Sequence, residues 1–257
     1  MSGTIHLERE GAHVAVLAID NPPRNTLGTA MRAQLRETLA HLAGDLTVRA
    51  VVITGRGKAF CSGDDLREEL EAVAGGGEPG ANLLDFARLL DQVESFRAPM
   101  IAAVNGWCVG GGVELALCCD LRLASTEAKF VCAGVNVGLT ASAYRLPRAI
   151  GVANAKHMLF TGQPYDAATA ARFALVSDIH PPDALLPAAL HLAQQIASRA
   201  PLSVEATKRL ATAAPNVSPQ ESLTAQATEL STLIRTNDHV AALQAFLEKR
   251  PPIFTRT

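Results

Sequence analysis

Aromatic residues are scarce in this chain: one tryptophan, two tyrosines and eight phenylalanines among 257 residues. With 48% of the residues hydrophobic, the core is expected to be aliphatic and alanine-rich. The length suffices for one large domain, or one domain with an appendage. Positive charge is not in excess either. A net charge of −2 and the lack of a basic tract leave no phosphate footprint for nucleic acid. No apolar run reaches a membrane span of about 20 residues, and the opening MSGTIHLEREGAH has no apolar signal core. The expectation is a soluble, cytoplasmic protein with no membrane partner. Five cysteines (Cys61, Cys108, Cys118, Cys119 and Cys132) sit in apolar surroundings, and seven histidines are scattered without paired spacing. Buried reduced thiols are expected, with neither disulfides nor a metal site.

Several nucleotide and nucleophile motifs are missing as well. GRGK at Gly55 to Lys58 is too short for a phosphate loop, and Ala59 follows where a hydroxyl would hold magnesium. The stretch from Gly106 reads GxxxGGG, not the GxGxxG of a dinucleotide fold, and no GxSxG elbow occurs.

What is present centres on Ala98 to Asp120, APMIAAVNGWCVGGGVELALCCD. Met100 to Val104 reads as a buried strand, Asn105-Gly106 breaks it, and Gly110-Gly111-Gly112 opens a short apolar helix running from Val113 to Cys119. Glycines at a helix start allow close approach and leave N–H groups pointing at whatever docks there. Glu114 is the single carboxylate of that helix and has no cation beside it in sequence. Desolvation would raise its pKa, as an acid or base requires. The competing reading is a tight turn whose Glu is favoured by the helix N-terminus.

In order, the chain reads as a hairpin (Ile5 to Leu7 with Val14 to Ile19) and a proline turn at Asn21 to Asn25. A helix over Thr29 to Leu42 and a strand over Arg49 to Thr54 follow. A loop at Ala59 to Leu66 leads into a charged helix from Glu68 that ends in GGGEPG, the most loop-like stretch. An amphipathic helix spans Leu83 to Phe96. Short strands at Leu121 to Ser125 and Lys129 to Val131 precede an irregular segment, Ala133 to Thr140. From Ser142 nearly everything reads as helix, apart from a strand near Leu175 to Ile179. The change of pattern divides the chain into an α/β core, 1–190, and a helical region, 191–257.

These segments resemble the enoyl-CoA hydratase/isomerase (crotonase) family. NPPRNTL (Asn21 to Leu27) is similar to its NxPxxNAL opening, and RAVVITGRGKAFCSGDDL to its strand, glycine turn and AFxAGxDL loop. The NG…GGG…Glu stretch, the CDxxxAxxxAxF run at Asp120 to Phe130, the helix from Gly151 to Gly162 and the ending FLEKRPPIF follow in order. The resemblance implies an α/β fold, a spiral of ββα turns with a C-terminal helical trimerisation region, assembled as a homotrimer or a dimer of trimers. It implies a coenzyme A thioester as substrate and no separate cofactor. It also implies an oxyanion hole, formed here by the amides of Asp64 and Gly111, with Glu114 as acid/base. Asp64 and Asp65 read alternatively as a solvated acid pair at a helix start. Around the hole, Ser62, Gly63, Asp65, Leu66 and Gly110 are implied as substrate-binding positions. Arg24, Phe246 and Lys249 are implied contacts to coenzyme A.

One position departs from the family pattern. The second glutamate of hydratases, in an FxxPE segment, corresponds to Gly134 within Phe130-Val131-Cys132-Ala133-Gly134, and the loop before Arg145-Leu146 is shorter. Ser142, Tyr144, Glu68, Glu69 and Glu71 are the polar residues available to substitute. The expected activity is addition of water to a trans-2-enoyl-CoA. The alternatives are isomerisation, hydrolysis or decarboxylation of an acyl-CoA in the same oxyanion hole, or acyl-CoA binding without turnover.

Overall fold

Three near-continuous apolar runs set the architecture. They form β2 (Val14–Asp20), β3 (Ala50–Gly55) and β5 (Met100–Val104), side by side and parallel in one sheet. Strands apolar on both sides belong where both faces of a sheet are covered, and that is their setting here. Ala15, Leu17, Ile19, Val51, Ile53, Met100, Ala102 and Val104 point into the main core. Val14, Val16, Ala50, Val52, Ile101 and Ala103 point the other way, beneath Leu185, Ala189, Ala193 and Ala197 of a single long helix, Pro182–Ala197. The computed structural model describes residues 3–76 and 80–257. Residues 77–79 of the glycine-rich stretch fall outside the described residues.

The sheet is extended by β1 (Thr4–Glu10), antiparallel to β2, and on the far side by β7 (Leu121–Ser125) and β10 (Asp178–His180), giving the order β1-β2-β3-β5-β7-β10. A second sheet holds β4 (Ala59–Cys61), β6 (Trp107–Val109), β8 (Lys129–Val131) and β9 (Pro164–Asp166) in that order. The chain climbs by one strand in each sheet and then a helical segment: β3 and β4 before α2 (Leu66–Ala74) and α3 (Ala81–Glu94), then β5 and β6 before α4 (Gly111–Cys118). This is the expected spiral of ββα turns. β7 and β8 do not pair with each other across the Thr126-Glu127 turn; they belong to different sheets. β4 lies where the sequence reads as the start of a loop, and β6 and β9 were likewise not evident, because three residues give little alternation to read.

Helix α1 (Thr29–Gly44) packs its buried Met31, Leu35, Leu39 and Leu42 into the main core. Residue 190, where the sequence pattern changes, lies inside α8, the Pro182–Ala197 helix that covers the sheet. That helix follows α5 (Arg145–Ile150), α6 (Val152–Thr161) and α7 (Ala167–Arg172). The helical region continues with α9 (Pro201–Ala213), α10 (Pro219–Leu233) and α11 (Asn237–Leu247). Glu205 of α9 is buried between Arg97, 2.9 Å from its Oε1, and Arg256, which binds both carboxylate oxygens at 2.5 and 2.9 Å, and it pins the C-terminal tail to the core. Helix α10 has no buried residue in the single chain. Among the described residues no helix is long and apolar enough to cross a membrane.

Candidate active site

Two chain crossings bring the predicted donors together. The β4 end and the start of α4 lie so close that a Cβ on Gly112 would sit 2.0 Å from the Cys61 carbonyl oxygen. Gly63, at φ +78°, could not carry one either: it would lie 2.5 Å from the Gly111 nitrogen. Glycine is thus required at both positions by contact, and at Gly63 by backbone conformation too. The turn before β4 is held from both flanks. Asn25 Nδ2 donates to the Arg56 and Ala59 carbonyls, and Asn105 Nδ2 to those of Gly57 and Ala59. The asparagines that marked two of the sequence motifs are therefore latches on one turn.

Beyond Gly63 the chain enters α2 with Asp65 as N-cap, its Oδ1 accepting the Arg67 N–H at 3.0 Å. Neither the Asp64 N–H nor the Gly111 N–H donates to an acceptor among the described residues. Both belong to segments opening helices, where unpaired amides and the helix dipole favour negative charge. Ser62 Oγ donates to the Arg24 carbonyl at 2.9 Å, and Leu27 N–H donates to the Gly63 carbonyl at 2.7 Å, so the Arg24 segment lies along this loop. Leu66 and Arg24 are exposed, and Gly110 turns its N–H onto the Val131 carbonyl at 2.8 Å.

The Asp64 side chain is not a solvated helix-start acid. It turns onto the guanidinium of Arg32, which is fully buried and also binds Asp85 at 2.8 Å and the Leu27 carbonyl at 3.0 Å. Burial pushes the Asp64 carboxyl up, opposed by Arg32 and by the Asp65 N–H. Arg32 carried no signal in the sequence, where it reads as one residue of an amphipathic helix. Phe86 of α3 was likewise hidden: a Cβ on Gly111 would meet its ring at 2.7 Å, so the ring forms an apolar wall against the donor glycine.

Glu114 stands one turn after Gly111 on α4, a spacing that puts both on one helix face. It is not the lone acid its neighbours in sequence implied. Its Oε1 accepts the Ser142 N–H, and its Oε2 lies 3.3 Å from Arg145 Nη1, which also pairs with Glu94 at 2.7 Å through Nη2. The cation comes from α5, 31 residues downstream. Gly134 lies in a 3-10 turn, Ala133–Val137, pressed against the following loop; a Cβ there would be 3.0 Å from the Leu139 carbonyl oxygen and 3.1 Å from the Ala141 nitrogen. At the position where the family pattern has a second acid, a side chain would press on the following loop, which would have to give by a few tenths of an ångström.

The other polar candidates diverge. Glu68 caps α1 by accepting the Thr29 N–H at 2.7 Å. Tyr144 is exposed, with its ring under Arg148. No hydrogen bond joins Glu69 or Glu71 to Glu114 among the described residues. Phe246 is exposed at the end of α11 and Lys249 lies just beyond it; among the described residues neither hydrogen-bonds to Asp64, Gly111 or Glu114. All five cysteines are free and buried. Burial pushes the Cys61 thiol up to about 12, and burial with the adjacent Glu114 charge does the same to Cys132, so neither offers a thiolate. A cleft of about 990 Å³ opens at the other end of α4, between Cys118, Asp120, Arg145 and Lys208, and includes none of Asp64, Gly111 or Glu114.

The family profile described as enoyl-CoA hydratase/isomerase matches residues 9–257. The chain is 38% identical over 250 residues to the (E)-benzylidenesuccinyl-CoA hydratase of Thauera aromatica, covering 94% of this chain and 95% of that one. It is 36% identical over 247 residues to the 2,3-dehydroadipyl-CoA hydratase of Escherichia coli, covering 94% of each. The crystal structure of an enoyl-CoA hydratase from Bacillus anthracis superposes with a TM-score of 0.92 at 31% identity, over 98% of this chain and 99% of that one. The chain belongs to the enoyl-CoA hydratase/isomerase family.

Proposed function

We propose that this protein adds water across the double bond of a trans-2-enoyl-CoA, with Asp64 and Gly111 as oxyanion donors and Glu114 as the acid/base. One observation carries the reading: the free Gly111 amide and the Glu114 carboxylate lie one turn apart on α4, with the Asp64 loop packed against Gly111. The thioester oxygen accepts both amide hydrogens. As the water oxygen bonds to C3, the π pair moves onto the thioester oxygen, where each preorganised donor contributes about 3 kcal/mol. Glu114 takes a proton from that water and delivers it to C2, so one carboxylate closes the balance on a single face of the substrate.

Leu66, Leu70 and Val73, at i, i+4 and i+7, expose one apolar face of α2 beside the hole and, with Phe86, suit the acyl chain. Arg24, tied to Ser62 through its carbonyl, suits the phosphates of coenzyme A. Exposed Leu223 and Leu230 on α10, Ile234 at its end, and Val240, Leu243 and Leu247 on α11 form apolar surface that favours self-association, as the homotrimer or dimer of trimers that the family resemblance implies. In that assembly Phe246 and Lys249 would serve a neighbouring subunit's coenzyme A. Five free cysteines favour a reducing, cytoplasmic setting.

Gly134 favours a second reading, in which the same hole serves isomerisation or another single-carboxylate thioester reaction. The test is the absorbance of the enoyl thioester band on mixing the protein with crotonyl-CoA and longer trans-2-enoyl-CoAs. Loss of the band, removed by Glu114→Gln with binding retained, is the expected result. Calorimetric binding without any loss would refute hydration.

A further inference from the structure

Arg32 is the charged member of the buried face of α1, beside Met31, Leu35, Leu39 and Leu42. Its guanidinium meets five acceptors: Asp64 Oδ1, Asp85 Oδ2 at 2.8 Å, the Leu27 carbonyl at 3.0 Å, Thr29 Oγ1 at 3.2 Å and Asn82 Oδ1 at 3.3 Å. A guanidinium carries five N–H donors, so none is spare. A buried ion pair is often no more stable than apolar side chains of the same volume. Stability alone therefore does not account for an arginine at this place.

Two of those acceptors bracket a single peptide unit. Leu27, whose carbonyl takes one hydrogen of Arg32 Nη1, donates its own N–H to the Gly63 carbonyl at 2.7 Å. The Gly63–Asp64 peptide is trans, so its C=O and N–H point in opposite directions. With the carbonyl tied to Leu27, the Asp64 N–H faces away from Leu27. The Asp64 carboxylate, one residue's length from that amide, is taken up by Arg32 and by the Asp65 N–H at 2.9 Å. Left without its cation, this carboxylate would oppose negative charge developing on an oxygen bound to the Asp64 amide.

We propose that Arg32 is a positioning residue of the oxyanion hole. It grips the Leu27 carbonyl and the Asp64 carboxylate together, which fixes the direction of the Asp64 N–H and compensates the charge beside it. The proposal rests on the Asp64 amide being an oxyanion donor, as read above, and not on hydration being the reaction. The surrounding charges balance: Arg32 and Arg36 face Asp64 and Asp85, so loss of Arg32 leaves one negative charge in excess next to the donor.

The experiment compares wild type, Arg32→Met, Arg32→Lys and Arg32→Met/Asp64→Asn at a temperature where each is folded. The infrared carbonyl stretch of bound butyryl-CoA, labelled with carbon-13 at the thioester, reports polarisation by the donors without any turnover. Crotonyl-CoA hydration gives kcat and KM. Wild type is expected to lower the stretch relative to free butyryl-CoA. Arg32→Met should reverse much of that lowering and cut kcat at least about tenfold, with KM changing less, since a weakened donor acts mainly in the transition state. Arg32→Lys, which keeps the charge but not the fork, should fall between the two. The double variant should recover part of both losses. A wild-type stretch and kcat in Arg32→Met, whatever its unfolding midpoint, overturn the proposal and leave a structural arginine. If Arg32→Met does not fold, the same result in Arg32→Lys overturns it. No lowering of the stretch by wild type overturns the oxyanion-hole reading as well. A lowered stretch without hydration refutes hydration alone, and the stretch then still tests Arg32.

Discussion

Arg32→Met tests how much the Asp64 loop depends on one buried cation. The guanidinium is fully buried and ties Asp64, Asp85, the Leu27 carbonyl, Thr29 and Asn82 together. Removing it leaves Asp85 a partner, because Arg36 Nη1 lies 2.7 Å from its Oδ1. Among the described residues Asp64 is then left with only the Asp65 N–H. Breaking a buried pair from one side costs about 3–5 kcal/mol, which for a chain of this size lowers the unfolding midpoint by about 10 °C. The deficit should depend on pH. Burial already pushes the Asp64 carboxyl up, and loss of Arg32 removes its main opponent. A native acid with a raised pKa holds a proton that the unfolded chain has released, so stability falls as pH rises. The deficit is therefore largest near neutrality and shrinks as pH drops to the range where the unfolded carboxyl protonates. Adding Asp64→Asn removes the orphaned charge and should recover most of the loss, since a buried pair replaced on both sides is often near neutral. Thermal unfolding monitored by circular dichroism between pH 5 and pH 8 decides it. A loss below about 1 kcal/mol, or no rescue by the second substitution, would refute the reasoning.

Two further outcomes follow from the same geometry. Gly134→Glu should not raise hydration and should destabilise by about 1–3 kcal/mol, because its Cβ presses on the Leu139 carbonyl and the Ala141 nitrogen; a gain in rate would show that this loop yields. Burial would raise the Glu205 carboxyl, yet Arg256 and Arg97 outweigh it and hold it below the usual range. Its stabilisation is present above the unfolded carboxylate pKa and is lost as pH falls through the lower, folded value. Glu205→Gln should cost stability at neutral pH and flatten the acid limb of the stability profile; an unchanged limb would count against the tail-anchoring role.

Local chemistry sufficed for much of this protein. The continuous apolar runs of β2, β3 and β5 announce strands covered on both faces, and the spacing of Gly111 and Glu114 places amide and acid on one face of α4 whatever surrounds them. The Asp64 loop was readable as a motif, and the glycines near it as sites of close approach. Other features depend on residues far apart in sequence. Arg145 reaches Glu114 across 31 positions and Arg32 reaches Asp64 across 32, so neither ion pair has a local pattern. The three-residue strands β6 and β9 exist only because neighbouring strands pair with them. Helix α8 joins the core because the sheet's second face needs a cover, although its own composition resembles the helical region that follows. Gly134 is a plain glycine in the sequence; only the packed 139–141 loop shows that a side chain there would crowd its neighbours. Periodicity and chain geometry act within a few residues and can be read from order alone, whereas burial, charge pairing and steric closure are set by whatever the fold brings alongside.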